Sequence, residues 1–359
     1  MIAEEELVRL ALNEAMKGWG GTHPNPMVGA VIVEGGEVVA TGYHKAAGEA
    51  HAEVDALRSL GRKPGAGAAM YVTLEPCCTH GRTPPCTRAI LESGIRVVRV
   101  GALDPNPDVA GKGVALLRDD GVDVAHGILE EECRDLNMVY NHWITKKSPL
   151  VAAKVATTLD GHIATRGGHS QWITSGPARE DVMRWRRLFP AIGVGSETAL
   201  KDNPQLTSRI SGQPVHCGRR FVFDTRLRTA NAGLRLFGDD FSARTTLVTT
   251  RETPQPGAWI LPADENGRPC LDAFRKQCAQ EGITGVFIEG GSGLLASFIN
   301  FKQLDYLFAY RAPKILADPS AKPAFTGMAP ETLDDALELY RVKHASLGDD
   351  QLMRGFIKK

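Results

Sequence analysis

The chain opens on a helical pattern. Apolar Leu7, Leu10, Ala11 and Ala15 recur among polar residues, predicting a helix over residues 4–18 with one buried face, ended by Gly18 and Gly20-Gly21. Thr22-His23-Pro24-Asn25-Pro26 cannot continue it, because proline fixes φ and lacks the N–H. Two apolar runs, residues 27–33 and 38–43, flank Gly35-Gly36 and read as a β-hairpin whose second strand ends at His44. Helical and strand patterns then alternate: helices at 51–60, 87–93, 113–119 and 129–142, strands at 70–74, 96–103 and 122–125. Alternation of this kind predicts a largely parallel sheet covered on both faces.

Residues 143–149, Trp-Ile-Thr-Lys-Lys-Ser-Pro, read as a basic, proline-ended break and place a domain boundary near 147, giving domains 1–147 and 148–359. Beyond it come a strand at 150–156 and a turn at Asp160-Gly161. A helix at 178–189, a strand at 191–195 and a short helix opening at Ser196-Glu197-Thr198 follow. Further strands are expected at 220–223, 245–248 and 283–288, with a helix at 271–280. Three strands expected to be antiparallel, 305–312, 336–343 and 352–357, finish the chain. A length of 359 residues supports two cores, since single cores rarely grow past roughly 250–300 residues.

Charge narrows the class of partner. Lys+Arg and Asp+Glu number 42 each, and this balance argues against nucleic acid, whose phosphate backbone calls for a basic excess. Nothing resembles a membrane span, and the acidic start Ile2-Ala3-Glu4-Glu5-Glu6-Leu7 lacks the apolar core of a leader. The expectation is a cytoplasmic protein, where its seven cysteines stay reduced and available to metal.

The chemistry concentrates in one constellation. His51-Ala52-Glu53 lies upstream of Pro76-Cys77, and Cys86 follows after eight intervening residues. One imidazole and two thiolates leave the fourth tetrahedral position of a zinc ion open, the mark of a catalytic site. Glu53, two residues past the histidine, is the natural proton carrier, and His-x-Glu with Pro-Cys and a second cysteine is the arrangement of zinc deaminases. Cys86 is expected at a helix start, where free N–H groups favour a thiolate. The usual gap between the cysteines is two residues; the longer one here departs from the generic motif. Singly, each residue reads more readily as a core cysteine or an ordinary histidine; the joint pattern does not. Cys78 is a rival ligand, set behind Cys77 because only the latter follows proline. Asn25 reads either as a contact to a ring edge or sugar or as an Asn-Pro turn residue, and Arg82 either as a phosphate partner or a solvated loop arginine. In the second half, Gly291-Ser292-Gly293-Leu294-Leu295-Ala296 fits a loose phosphate-cradling glycine pattern between strand and helix, as does Gly195-Ser196-Glu197-Thr198; either can equally be a plain helix cap.

These motifs in combination resemble the bifunctional deaminase/reductase family of riboflavin biosynthesis. In the first half the matching stretches are Thr22-His23-Pro24-Asn25-Pro26-Met27-Val28-Gly29, Gly48-Glu49-Ala50-His51-Ala52-Glu53, Gly81-Arg82-Thr83-Pro84-Pro85-Cys86 and Asp104-Pro105-Asn106-Pro107. In the second they include Lys154-Val155-Ala156-Thr157-Thr158-Leu159-Asp160-Gly161, Ser170-Gln171-Trp172-Ile173-Thr174, Asp202-Asn203-Pro204-Gln205-Leu206 and Ile288-Glu289-Gly290-Gly291. The resemblance implies an α/β protein: a cytidine-deaminase-like three-layer domain followed by a dihydrofolate-reductase-like α/β domain. It implies one Zn2+ in the first, held by His51, Cys77 and Cys86, and NADPH in the second. The substrate would be a diaminopyrimidinone bearing a ribosylamino 5′-phosphate, deaminated on the ring and then reduced at the sugar to a ribityl chain. Carried over by position, Ala156, Trp172, Thr198, Asp202, Thr225, Gly291, Ser292, Gly293, Leu294, Leu295, Ala296 and Ser297 would hold the cofactor. Ser170, Arg186, Leu206, Arg209 and Glu289 would hold the substrate, with Arg186 and Arg209 suited to clamping phosphate. The family commonly places Ser-His directly after the first cysteine; Cys78-Thr79-His80 sets the histidine one place later, with His80 still able to reach the pocket. The resemblance admits a homo-oligomer. Two rival readings are a tRNA-type or nucleobase zinc deaminase with an accessory domain, and a non-enzymatic zinc module joined to a sugar-phosphate sensor; a fourth protein ligand on zinc would mark the latter.

Overall fold

The computed structural model describes residues 2–80 and 84–358. The chain divides into two compact units, Met1–Lys147 and Ser148–Lys359.

The first unit runs α1 (Glu4–Ala15), β1 (Gly29–Glu34), β2 (Glu37–Tyr43), α2 (Ala52–Leu60), β3 (Ala69–Leu74), α3 (Cys86–Ser93), β4 (Val97–Ala102), α4 (Lys112–Asp119), β5 (Asp123–His126), α5 (Glu130–Leu136) and α6 (Met138–Lys146). The strands form one sheet in the order β2-β1-β3-β4-β5. Only β3, β4 and β5 are parallel; β1 is antiparallel to both β2 and β3, so the sheet is half antiparallel rather than largely parallel. The cause is the tight turn at Gly35-Gly36, both at positive φ, which leaves β2 no course but an antiparallel return. Side chains alternate across the sheet. Ala30, Ile32, Val72, Val98 and Val100 join Ala52, Ala56, Ile90, Val114 and Leu117 of α2, α3 and α4 in one core, while α1 and α5 cover the other face. Helix and sheet come close enough that a Cβ on Gly29 would lie 2.0 Å from Ala11 O, and one on Gly42 would lie 2.2 Å from Ala56 N.

The helices depart from the sequence pattern in two places. Helix α1 buries Leu7, Val8, Ala11, Leu12 and Ala15, a stripe with full helical period, whereas Leu10 points to solvent. The single helix expected at 129–142 is two, divided at Asn137, and α6 continues to Lys146. Trp143 to Lys146 contain no breaker. Lys147, at φ 52, caps the helix instead, and Pro149 restricts only the residue before it.

The second unit runs β6 (Leu150–Thr157), β7 (His162–Ala164), α7 (Gly176–Leu188), β8 (Ala191–Gly195), α8 (Ser196–Asp202), β9 (Arg219–Phe223), α9 (Arg235–Gly238), β10 (Thr245–Thr249), β11 (Trp259–Ile260), α10 (Leu271–Gln280), β12 (Gly285–Ile288), α11 (Ser292–Asn300), β13 (Tyr306–Arg311), β14 (Lys322–Pro323), β15 (Leu339–Leu347) and β16 (Asp350–Ile357). Nine strands pair in the order β11-β10-β9-β8-β12-β6-β13-β16-β15. From β11 to β13 every pairing is parallel; only β16 and β15 are antiparallel. The first of the three closing strands is therefore parallel to β6, because α11 carries the chain back from β12 before β13 pairs. Phe221, Phe223, Trp259, Phe274 and Phe298 interlock over one face of this sheet, and Phe189, Phe287 and Phe308 cluster separately. Strand β12 returns between β8 and β6, so the carboxyl ends of three adjacent strands open on one crevice, the position at which parallel α/β sheets bind ligands.

Candidate active sites

The first site gathers residues from two helix starts and one strand end. His51 is the cap residue before α2, which places Glu53 in the first turn. Pro76-Cys77 follows β3 directly, and Cys86 is the first residue of α3. Cys86 N donates to Cys77 Sγ at 3.3 Å and Thr87 N to Cys77 O at 3.2 Å, so the start of α3 is wrapped around Cys77. His51 Nδ1 lies 3.2 Å from Cys86 Sγ and 3.5 Å from Cys77 Sγ. All three donor atoms fall within 4.8 Å of one another. Ligands held at zinc distances on three corners of a tetrahedron stand about 3.5 Å apart, so the donor set fits that ion with one corner left over. Glu53 is buried, and burial followed by the charge of Cys77 pushes its carboxyl up to about 7. The thiols split: a hydrogen bond from Cys86 holds Cys77 below the ordinary thiol range, while the same bond and burial drive Cys86 above it. A hydrogen bond to Cys77 raises His51 against the effect of burial.

Around this centre lie residues the sequence pattern did not single out. His44 is buried, donates through Nδ1 to Ala50 O at 3.0 Å, and so presents Nε2 as acceptor to Asn25 Nδ2 at 3.1 Å. Burial keeps His44 below the usual imidazole range, and its ring sits edge-on to His51 at 5.3 Å between centroids. One residue thus links Asn25 to the candidate metal cluster, a histidine that in sequence merely ends a strand. Glu75, just before Pro76-Cys77, is buried and accepts backbone N–H groups from Asp104, Gly111 and Val114 at 2.9–3.1 Å. It ties the Asp104-Pro105-Asn106-Pro107 loop to the end of β3, and Tyr140 donates to Asp104 at 3.2 Å. His80 is exposed, Cys78 is half-buried, and Arg82 lies outside the described residues.

The second site is a cavity of about 810 Å3 at the carboxyl ends of β6, β8 and β12, within the size range of small-molecule and cofactor sites. Its lining brings together Ala156, Trp172, Thr198, Asp202, Gly291, Ser292, Gly293 and Leu294 of the expected cofactor set. All of the expected substrate set is there too: Ser170, Arg186, Leu206, Arg209 and Glu289. Thr225, Leu295, Ala296 and Ser297 are not in the lining. Leu295, Ala296 and Ser297 are buried on the inner side of α11, and the Ser297 hydroxyl is engaged with Gly293 O and Arg268. The starts of α8 and α11 stand side by side, with Thr198 Oγ1 3.7 Å from where a Cβ on Gly291 would lie, and nothing crowds Gly293. Two helix N-termini facing an open space suit the anionic groups of a dinucleotide.

Arg186 differs from expectation. Its fork is bidentate to Glu289, at 2.5 and 2.9 Å, and its remaining nitrogen donates to Thr207 O at 3.1 Å. The guanidinium thus faces the cavity already paired, leaving Arg209 as the more open cation. Burial pushes Glu289 up, but Arg186 and then Lys154 outweigh it and hold the carboxyl down. Lys154, on β6 among them, is held below the ordinary ammonium range by burial. A lone charged residue in a strand otherwise made of Leu, Val, Ala and Thr was the available signal for it. Burial, opposed by Lys201, raises Asp202. Arg179 lies over the Trp172 ring, 4.8 Å from its centroid.

Fold and sites together define a zinc-type deaminase unit followed by a reductase unit of the parallel α/β kind. The known proteins that the chain resembles say the same. Residues 1–102 match the cytidine and deoxycytidylate deaminase zinc-binding region, and residues 149–353 match the RibD C-terminal domain. The riboflavin biosynthesis protein RibD of Actinobacillus pleuropneumoniae is 39% identical over 358 residues, covering 97% of this chain and 94% of that protein. Its counterpart in Escherichia coli K12 is 38% identical, covering 87% and 88%. RibD of Acinetobacter baumannii superposes with a TM-score of 0.83 at 32% identity, and a Thermotoga maritima structure with 0.84 at 34%, each over 99% of both chains. The latter is named a diaminohydroxyphosphoribosylaminopyrimidine deaminase/5-amino-6-(5-phosphoribosylamino)uracil reductase. The chain belongs to the RibD family: it is a bifunctional deaminase and reductase of riboflavin biosynthesis, using zinc and NADPH and acting on a small phosphorylated pyrimidine.

Proposed function

We propose that the first unit removes the ring amine of 2,5-diamino-6-ribosylamino-4(3H)-pyrimidinone 5′-phosphate and that the second then reduces the ribosyl group to ribityl. The observation that carries this is the convergence of His51, Cys77 and Cys86 donor atoms within 4.8 Å beside the buried Glu53. His51, Cys77 and Cys86 would hold zinc, which would supply the Lewis acidity that makes water nucleophilic near neutral pH. Glu53 is placed to carry a proton from an attacking water to the ring nitrogen and on to departing ammonia. Asn25, held by His44, orients the ring edge or sugar. NADPH bound in the second unit would supply hydride. Ala156, Trp172, Thr198, Asp202 and the 291–294 turn position it, while Ser170, Leu206, Arg209 and the Arg186–Glu289 pair orient the sugar phosphate.

The zinc donor set has three protein members among the described residues, which favours the enzymatic reading over a structural zinc module. Charge balance favours a small-molecule partner over nucleic acid. No described helix is long and apolar enough to cross a membrane, and seven cysteines with no disulfide among them suit the cytoplasm. A homo-oligomer is supported by β15, an edge strand with Tyr340 and Val342 exposed. Purified protein incubated with the diaminopyrimidinone phosphate, with and without NADPH, tests the reading. Ammonia release without NADPH, and NADPH oxidation only after it, are expected; oxidation preceding ammonia release would reverse the order.

A further inference from the structure

We propose that Arg220 is a positioning residue for the reduction, holding the cavity wall formed by residues 203–206, Arg209 and Arg235 in the shape that receives the sugar phosphate. The inference rests on the reading of this cavity as the reduction site. Arg220 lies on β9, outside the lining, and its side chain is wholly buried. A buried guanidinium is retained only if its donors are satisfied, and all five are. Nε donates to Thr245 Oγ1 at 2.9 Å. Nη1 donates to Gln205 O at 2.9 Å and Asp239 Oδ2 at 2.7 Å, and Nη2 to Leu236 O at 2.8 Å and Asp239 Oδ1 at 2.7 Å.

Of the two backbone carbonyls it grips, one is in the cavity wall and the other adjoins it. Gln205 sits between Pro204 and Leu206, and Leu236 directly follows Arg235; all but Leu236 line the cavity. The two segments are cross-linked a second time, since Asn203 Oδ1 accepts Arg235 N at 2.8 Å. Leu206 is held at φ 53, which a leucine adopts only when its surroundings impose it. Arg209, an exposed cation of the site, is tied to the same loop, donating to Gln205 Oε1 at 2.8 Å. One planar fork therefore sets where Leu206, Arg209 and Arg235 stand, and lysine cannot reproduce it.

Three variants of the full chain test this: Arg220→Lys, the apolar pair Arg220→Met with Asp239→Leu, and Asn203→Gly. The pair removes both charges together and so spares the fold the unpaired ion, and glycine keeps the positive φ of Asn203 while deleting the cross-link. A positioning role predicts that KM for the deaminated substrate rises roughly 10- to 100-fold, a typical consequence of ångström-scale misplacement. The NADPH KM and ammonia release should stay near parent values. Arg209→Ala serves as the control on the site itself. Variants that melt like the parent and keep its substrate KM, while Arg209→Ala is impaired, overturn the role of Arg220. A parent-like KM in Arg209→Ala as well overturns the cavity assignment, and the inference with it.

Discussion

At the scale of single residues, the deaminase centre separates the proposed metal ligands from the proposed proton carrier. Glu53 stands outside the proposed metal set of His51, Cys77 and Cys86, its carboxyl being hydrogen-bonded to Cys86. Glu53→Gln is expected to retain zinc, by metal analysis, and to lose deamination by about 100-fold or more, since positioned proton transfer is worth roughly 10²–10⁴-fold. Full activity in that variant would remove Glu53 from the mechanism. The two adjacent cysteines are told apart by geometry. Cys77 Sγ accepts the N–H that opens α3 and approaches His51, whereas Cys78 is outside the cluster. Cys77→Ser and Cys86→Ser should each purify without stoichiometric zinc, and Cys78→Ser should purify with it. The reverse pattern would make Cys78 the ligand.

At the scale of elements, the break between α5 and α6 shows what a helix pattern conceals. Asn137, in mid-sequence of an apparently continuous helix, is buried, and its amide exchanges two hydrogen bonds with Met27, Oδ1 accepting from N and Nδ2 donating to O, both at 2.8 Å. This pins the loop carrying Asn25 to the far end of the unit. Asn137→Ala leaves two buried backbone groups unpaired, so the first unit should lose about 1–3 kcal/mol per group or less. In urea titrations of the full chain, the midpoint for deamination should fall while that for reduction holds. Coincident shifts would show that the two units unfold together. The same reasoning explains which elements were legible. Helix α10 and strand β8 fall on the residues their patterns mark, since each has a clean period and a glycine, proline or charged boundary. The two-residue strands β11 and β14 have no period to read, and the parallel direction of β13 depends on a partner 154 residues earlier in sequence, at β6.

At the scale of the molecule, each chemistry draws its side chains from one unit. The zinc donors lie before Lys147 and the cavity lining after Ser148. A chelator is therefore expected to abolish ammonia release while leaving NADPH oxidation intact when the deaminated substrate is supplied; Asp202→Ala should do the converse. Loss of reduction on chelation, with the second unit still folded by circular dichroism, would show the sites to be coupled. How much of this the chain carries openly follows from the range of each interaction. The proposed zinc ligands are legible as candidates because metal geometry restricts residue types and because their helix and strand ends are local: His51 before α2, Cys77 after β3, Cys86 opening α3. Glycine turns and the break near Lys147 are legible for the same reason, since a backbone conformation is decided within a few residues. Pairings between distant residues are not. The Asn25–His44 contact beside the zinc ligands, the Glu75 carboxylate under the 104–114 loop, the Arg186–Glu289 pair across 103 residues and the Arg220 fork are made only when the sheet brings their strands together. Sequence alone determined which chemistries the chain can perform, because those depend on residue type and local spacing; the tertiary structure decided which polar groups are already spent on one another and which remain open to a ligand.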